Sequence, residues 1–338
     1  MRGLGARRSM AALQLILGVI AFAALVWRVD LGSALQRLPQ VELAWALPGL
    51  LLFTLSKALH ALRWRHMLRR RQLAWRPLFG LFLVSNLVNA LIPFRAGDLL
   101  RIELPSRRFG LPRAELAATV LVVESLLDGV AFVVLLAVGL LFVDLPRELQ
   151  LPLFAVASTV LALFAVSAGA ARAGRRWDAE RVRRLLRLPR GGGERVARVV
   201  NEAFAGMAAL STRRDLAVAV VLSIGAWLVE VIMYWMMAQA FDVHLSFGEA
   251  LFVTVAANLI VAVPITPWDI GPYEVAVTET LALIGVERAT ASSYAVGSHV
   301  LLLAWIGITG ALAMWTLQLR PRDVLRPRAS PQPESVDH

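Results

Sequence analysis

Apolar residues run through this chain in long blocks separated by short polar punctuation. The blocks Met10–Trp27, Leu43–Leu62, Ala114–Val143, Leu151–Ala171, Leu216–Phe241 and Thr290–Gln318 are nearly free of charge. Each has about the 18 to 20 residues needed to cross the hydrocarbon core of a bilayer, so each predicts one transmembrane helix. Two further apolar regions are interrupted. Pro77–Ser106 breaks at Pro93 and Gly97 and then carries Arg95, Asp98, Arg101 and Glu103. Glu249–Val263 breaks at Pro264, Pro267 and Gly271 and resumes as Tyr273–Ile284. The apolar run on either side of each break is too short to span. Such a pattern predicts a segment that enters the membrane and turns back, with irregular backbone lying against protein or a wet cavity. The expected fold is therefore all-α: a polytopic integral membrane protein with six full transmembrane helices and two re-entrant helical hairpins. Eight conventional crossings is the alternative count.

Charge at the block edges sets the expected orientation. Arg2, Arg7 and Arg8 precede the first helix, and Arg63, Arg65, Arg69, Arg70 and Arg71 follow the second. Both flanks of Pro77–Ser106 are basic, so a hairpin that returns to its own side satisfies them and a single crossing does not. Residues 172–214 hold twelve arginines against four acidic residues and form a basic cytoplasmic connector, in which Glu194–Leu210 carries an apolar helical stripe suited to the inner leaflet or to a solvated link. Counted this way, 28 of 34 arginines fall on the cytoplasmic side, with both termini. Residues 1–318 form one transmembrane domain, with halves at about 43–143 and 216–318. Residues 319–338, rich in Pro and Ser, are expected to be a disordered cytoplasmic tail.

Composition narrows the chemistry. The chain is 58% hydrophobic and 17% charged, well below the charge of a soluble protein. Its +11 net charge is explained by sidedness rather than by nucleic acid. There is no cysteine, so disulfides, thiolate zinc sites and iron–sulfur clusters are excluded, and no metal or other cofactor is expected. No nucleophile elbow, P-loop or zinc-protease pattern occurs, so no enzyme is predicted. The basic residues are 34 Arg and a single Lys, Lys57, a bias that fits a GC-rich genome.

The two broken regions repeat one another. Pro93, Asp98 and Glu103 have the spacing of Pro264, Asp269 and Glu274, 171 residues on. Gly110-Leu-Pro-Arg113-Ala114 matches Gly285-Val-Glu-Arg288-Ala289 at an offset of 175, which pairs Glu124 with His299. The first hairpin is expected to enter from inside and the second from outside, an inverted repeat with the site at the broken helices. Candidate site residues follow from the cost of charge in a membrane. Arg95, Asp98, Arg101 and Glu103 are candidates to hold a lipid headgroup phosphate, because the Arg fork donates two parallel hydrogen bonds, or else to neutralise one another within the turn. Lys57, Glu124, Asp128, Glu230, Asp269, Glu274 and His299 are candidate pathway charges; Glu124 and Asp128 share a helix face suited to take up Lys57 or Arg95, to relay protons or to attract a cationic headgroup. Asn89, Pro93, Gly97, Pro264, Pro267 and Gly271 shape the breaks.

These residues carry a resemblance. Arg63-Trp64, then Asn89, Pro93, Arg95, Gly97, Asp98 and Arg101, then Glu124 and Asp128, and in the second half Pro264, Thr266, Pro267, Gly271, Glu274 and Gly285-Val286 resemble the lysylphosphatidylglycerol synthase transmembrane-region family. The resemblance runs from about Leu13 to Leu317 and implies translocation of a phospholipid or lipid-linked headgroup across a bacterial inner membrane. It is to a standalone member, since no soluble aminoacyl-transferase segment follows Gln318. Where the family's second half usually has Gly-Gly after Pro267, this chain has Trp268-Asp269. The expected partners are the lipid itself, a second copy of the chain and a lipid-modifying enzyme, with no nucleic acid. Competing expectations are a polyprenyl-phosphate-dependent transferase and an accessory protein of cell-envelope assembly.

Overall fold

The structure, a computed structural model, describes residues 41–68, 73–92, 95–139, 212–261 and 267–320, together with isolated helical positions between 155 and 169. The expected first helix, nearly all of the basic connector, the tail, Pro93 and Pro264 lie outside the described residues, and so does most of Leu151–Ala171. Among the described residues there are eight helices and no strand. They are α1 (Leu43–Met67), α2 (Trp75–Leu91), α3 (Ala96–Phe109), α4 (Arg113–Gly139), α5 (Arg213–Ala240), α6 (Phe247–Val261), α7 (Pro272–Leu283) and α8 (Arg288–Thr316). Four of these, α1, α4, α5 and α8, are long and apolar enough to cross a membrane.

The two halves repeat in order and in length. Arm α2 folds back on α3 and arm α6 folds back on α7, and each hairpin leads into a long helix through a left-handed glycine, Gly110 at φ 65° and Gly285 at φ 91°. A residue with a Cβ is strained at such angles, which is why the matched Gly positions close the repeat. Equivalent helices run in opposite directions. The Glu42 amide at the start of α1 donates to the Ala240 carbonyl at the end of α5, and His66 near the end of α1 lies 3.3 Å from Asp215 near the start of α5. Packing is reciprocal as well. The start of α2 sits against the end of α8, where Gly80 faces Leu317, and the start of α6 sits against the end of α4, where Gly139 faces Leu251. Each hairpin therefore rests on the long helix of the other half, around a pseudo-two-fold axis between α1 and α5.

The core follows from this exchange. Its largest cluster joins Phe53, Leu135, Trp227, Met237, Leu251, Val277 and Tyr294 from both halves. One helix bound corrects the expectation. The second predicted helix does not stop at Leu62: α1 continues to Met67, and Arg63 and Trp64 are fully buried in it rather than part of the following loop. Lys57 accordingly lies mid-helix and not near an end. Arg63 reads as a loop residue only because a basic run follows it; an interior carboxylate holds it inside.

Candidate functional site

The first hairpin turns where α2 ends. Arg95 takes a left-handed conformation at φ 52° and caps α3. The Asn89 side chain bridges the break: its Oδ1 accepts from the Gly97 amide at 2.7 Å and its Nδ2 donates to Asp98 at 3.2 Å. Gly97 is required by the closeness of the arms, because a Cβ there would stand 2.0 Å from the Ser85 carbonyl oxygen. Arg95 Nε donates to Asp98 Oδ2 at 2.9 Å, with the arginine half-exposed and the aspartate nearly covered. The terminal amino groups of Arg95 have no further partner among the described residues.

The second hairpin turns through Pro267–Asp269, and this turn packs on α2 of the first half. Trp268 and Asp269 are both left-handed, at φ 63° and 52°. These are the positions at which the resemblance leads to an expectation of Gly-Gly, so the departure falls where the backbone is left-handed. Trp268 is 43% exposed. Gly271 begins α7, and its amide donates to Glu274 Oε2 at 2.7 Å. The other oxygen of Glu274 is 2.6 Å from His299 Nδ1 on α8, and the Tyr273 ring lies 4.2 Å from the His299 ring. Asp269 stands within electrostatic reach of His299, Arg95 and Glu274, so the tips of the two hairpins face each other across a small set of charges.

The remaining candidates separate into ion pairs behind the tips. Arg101 on α3 grips Glu124 on α4 through both ends of its fork, at 2.5 and 2.9 Å, and its guanidinium lies between the rings of Trp64 and Phe82 at 4.4 and 4.3 Å. The two terminal nitrogens of its fork are thus taken by Glu124, while its Nε, also buried, has no hydrogen-bond partner among the described residues. One turn on, Asp128 accepts from Arg63 at 2.5 and 3.2 Å and from the Trp227 indole at 3.0 Å. Neither Lys57 nor Arg95 reaches the Glu124–Asp128 face; Lys57 pairs instead with Glu230 at 2.9 Å. A short π-helical stretch, Ala118–Val123, runs directly into Glu124 and sets the rotation at which both carboxylates point inward. Glu103 is apart from all of these. It faces the hairpin's outer edge between Arg107 and Arg113, and hydrogen bonds from Arg113 and then Arg107 hold its carboxyl below its ordinary 4.5.

Of the four residues grouped for phosphate, then, Arg95 and Asp98 share the tip, Arg101 is locked in the core and Glu103 is at the surface. Arg63, Trp227 and His60, whose Nδ1 lies 4.0 Å from Asp128, were not among the candidates. Lys57, His60 and Arg63 recur at intervals of three on α1, a helical stripe that identifies them as one face.

A polytopic bundle of long apolar helices, with broken helices and charge at its centre, defines a multi-pass membrane protein. The family described as the lysylphosphatidylglycerol synthase TM region matches residues 10–310, and the chain belongs to it. That membership sets the protein among membrane proteins of lipid handling. No curated protein sequence matches the chain.

Proposed function

We propose that the protein is a lipid flippase or transporter of the bacterial inner membrane, moving a phospholipid or lipid-linked headgroup between leaflets, with both termini cytoplasmic. The observation that carries this is the meeting of the two hairpin tips, where half-exposed Arg95 stands over Asp98 and opposite Asp269. Arg95 offers its outer amino groups to a headgroup phosphate, while Asp269 and the Trp268 ring face the headgroup's cationic end. The lengths of the arms support re-entry: α6 and α7 have 15 and 12 residues. At about 1.5 Å per residue neither crosses a core of about 30 Å. Opposed equivalent helices support alternating access, with one half rocking on the other.

The test is lipid movement in liposomes reconstituted with headgroup-labelled phospholipids. Arg95→Ala removes a charge-assisted contact of about 1.5–3 kcal/mol, so transport should slow by roughly tenfold or more. Asp98→Ala, which frees Arg95 from its orientation, should slow it as well. Wild-type rates in both variants would overturn the site. A new product from a lipid-linked phosphate donor, without translocation, would replace transport with transferase chemistry based on Asp98 or Asp269.

A further inference from the structure

The chain's one lysine is not at its surface. Lys57 sits in the middle of α1 and donates to Glu230 Oε2 of α5 at 2.9 Å, with side chains 12% and 2% exposed. Ser56 donates to the same oxygen at 3.0 Å, and the Phe53 and Trp227 rings lie 4.4 and 6.0 Å from the ammonium. Lys57 and Glu230 are 173 residues apart, against 170 for the first and 173 for the last residues of α1 and α5. The pair therefore joins positions of the two halves that are equivalent to within one helical turn, close to the pseudo-two-fold axis.

Composition makes this position unusual. Every other Lys-or-Arg position in the sequence, 34 of them, is arginine. The buried pairs Arg63–Asp128 and Arg101–Glu124 use the two-pronged fork, which arginine supplies and lysine cannot. At position 57 the difference runs the other way: an arginine keeps its charge at any working pH, whereas a buried lysine can give up its proton. A purely structural cation at this site would be served by either residue.

We propose that Lys57 and Glu230 form a proton-exchange site that couples lipid movement to a transmembrane proton gradient. This rests on the transport reading above. In the step, a Lys57 Nζ–H bond breaks and an O–H bond forms on Glu230 Oε2, so both charges vanish together. The proton then leaves Glu230 toward one side of the membrane, and the lone pair of the Lys57 amine takes a proton from the other side. One proton crosses per cycle, and no oxidant or reductant is involved. The groups facing the pair define two directions. Toward the Met67 end of α1 lie His60 and Arg63, with Asp128 of α4 beside them. Toward the Ala240 end of α5 lies Tyr234, with Tyr273 of α7, both within electrostatic reach of Glu230. Tyr273 also touches His299, which holds Glu274 at the cap of α7. Discharging the pair loosens the contact between the halves at their axis, and this row of side chains leads from there to the second hairpin tip.

The experiment uses the full chain in liposomes carrying a labelled phospholipid and an internal pH dye, with and without an imposed proton gradient. The readout is the ratio of the two lipid rates together with proton flux. Wild type should show a ratio of severalfold and lipid-dependent proton flux. Lys57→Arg should bring the ratio to about one, because the cation is kept and the exchange is lost. Glu230→Gln should do the same, and serves alone if the larger arginine fails to fold. A gradient-independent wild type, or a Lys57→Arg variant with the wild-type ratio, would overturn proton coupling and leave transport standing. Absence of lipid movement under every condition would remove both.

Discussion

The Arg101–Glu124 pair gives the most demanding test of how this fold is held. Both side chains are nearly inaccessible, at 4% and 8% exposure, and the guanidinium has an aromatic ring on each face. Arg101→Ala leaves Glu124 buried without a partner. Breaking a buried pair in this way costs about 3–5 kcal/mol, since one desolvated charge remains uncompensated. Removing both charges with apolar residues of similar size is near neutral or stabilising by comparison. The double variant Arg101→Met with Glu124→Leu should therefore be far more stable than Arg101→Ala alone, and the double-mutant cycle should show a coupling of about 3 kcal/mol or more. Arg101→Lys keeps the charge but gives up the second prong and much of the stacking, worth about 2 kcal/mol when desolvated. Equilibrium unfolding of purified protein in mixed detergent micelles, followed by circular dichroism, measures all three. If Arg101→Ala unfolds within about 1 kcal/mol of wild type yet loses lipid movement, the pair is no lock, and Arg101 belongs with Arg95 as a headgroup ligand.

Four shorter predictions follow from the hairpins and the helices they rest on. Gly97→Ala places a methyl 2.0 Å from the Ser85 carbonyl oxygen, so the arms must part, and unfolding measurements should show a loss of about 3 kcal/mol, the upper end for overpacking. The added methyl of Gly310→Ala would stand 2.5 Å from the Leu87 Cβ, an atom that moves only with its backbone, so α2 and α8 must part and the same assay should show a loss of about 1–3 kcal/mol. Trp268→Gly relieves a left-handed aromatic residue and should stabilise the protein by about 1 kcal/mol, which a thermal melt would register. Single cysteines at positions 107 and 287, in a background that has none, should react with impermeant reagents from opposite sides of the membrane; labelling from one side would refute the inverted arrangement.

Much of this architecture is legible in the sequence because membranes permit few solutions. Hydrophobic length identifies the four described spans, and the Pro and Gly breaks fall where the arms turn. The glycine pair at 110 and 285 reports a backbone conformation, so a sequence match at those positions carries a physical reason. Partner choice is less legible. Asp128 selects Arg63, sixty-five residues away, over the lysine expected there, because helix rotation decides which face meets which, and the π-helical stretch before Glu124 changes that rotation without a mark in composition. Arg63 is also disguised by the basic residues that follow it. Glu103 shows the converse: two residues from the buried Arg101, it faces outward, where Arg107 and Arg113 pair with it.

The halves share a frame but close it with different chemistry, and that difference gives them different roles. At matched positions of the long helices stand Glu124 and His299, and each bonds the second arm of its own hairpin, through Arg101 and Glu274. The first contact is two-pronged, stacked and built on an arginine that stays charged. The second is one hydrogen bond to an imidazole. The first turn has one left-handed residue, Arg95, and is held by Asn89, which bonds both Gly97 and Asp98, whereas the second has two in succession, Trp268 and Asp269, of which the bulky tryptophan is the costlier. A rocking mechanism needs one member to stay fixed while the other moves. On the transport reading proposed above, the fixed part falls to the Arg95 hairpin, proposed to present the phosphate ligand, and the moving part to the Asp269 hairpin, whose two left-handed residues and single hydrogen bond to His299 give it the lower barrier to displacement.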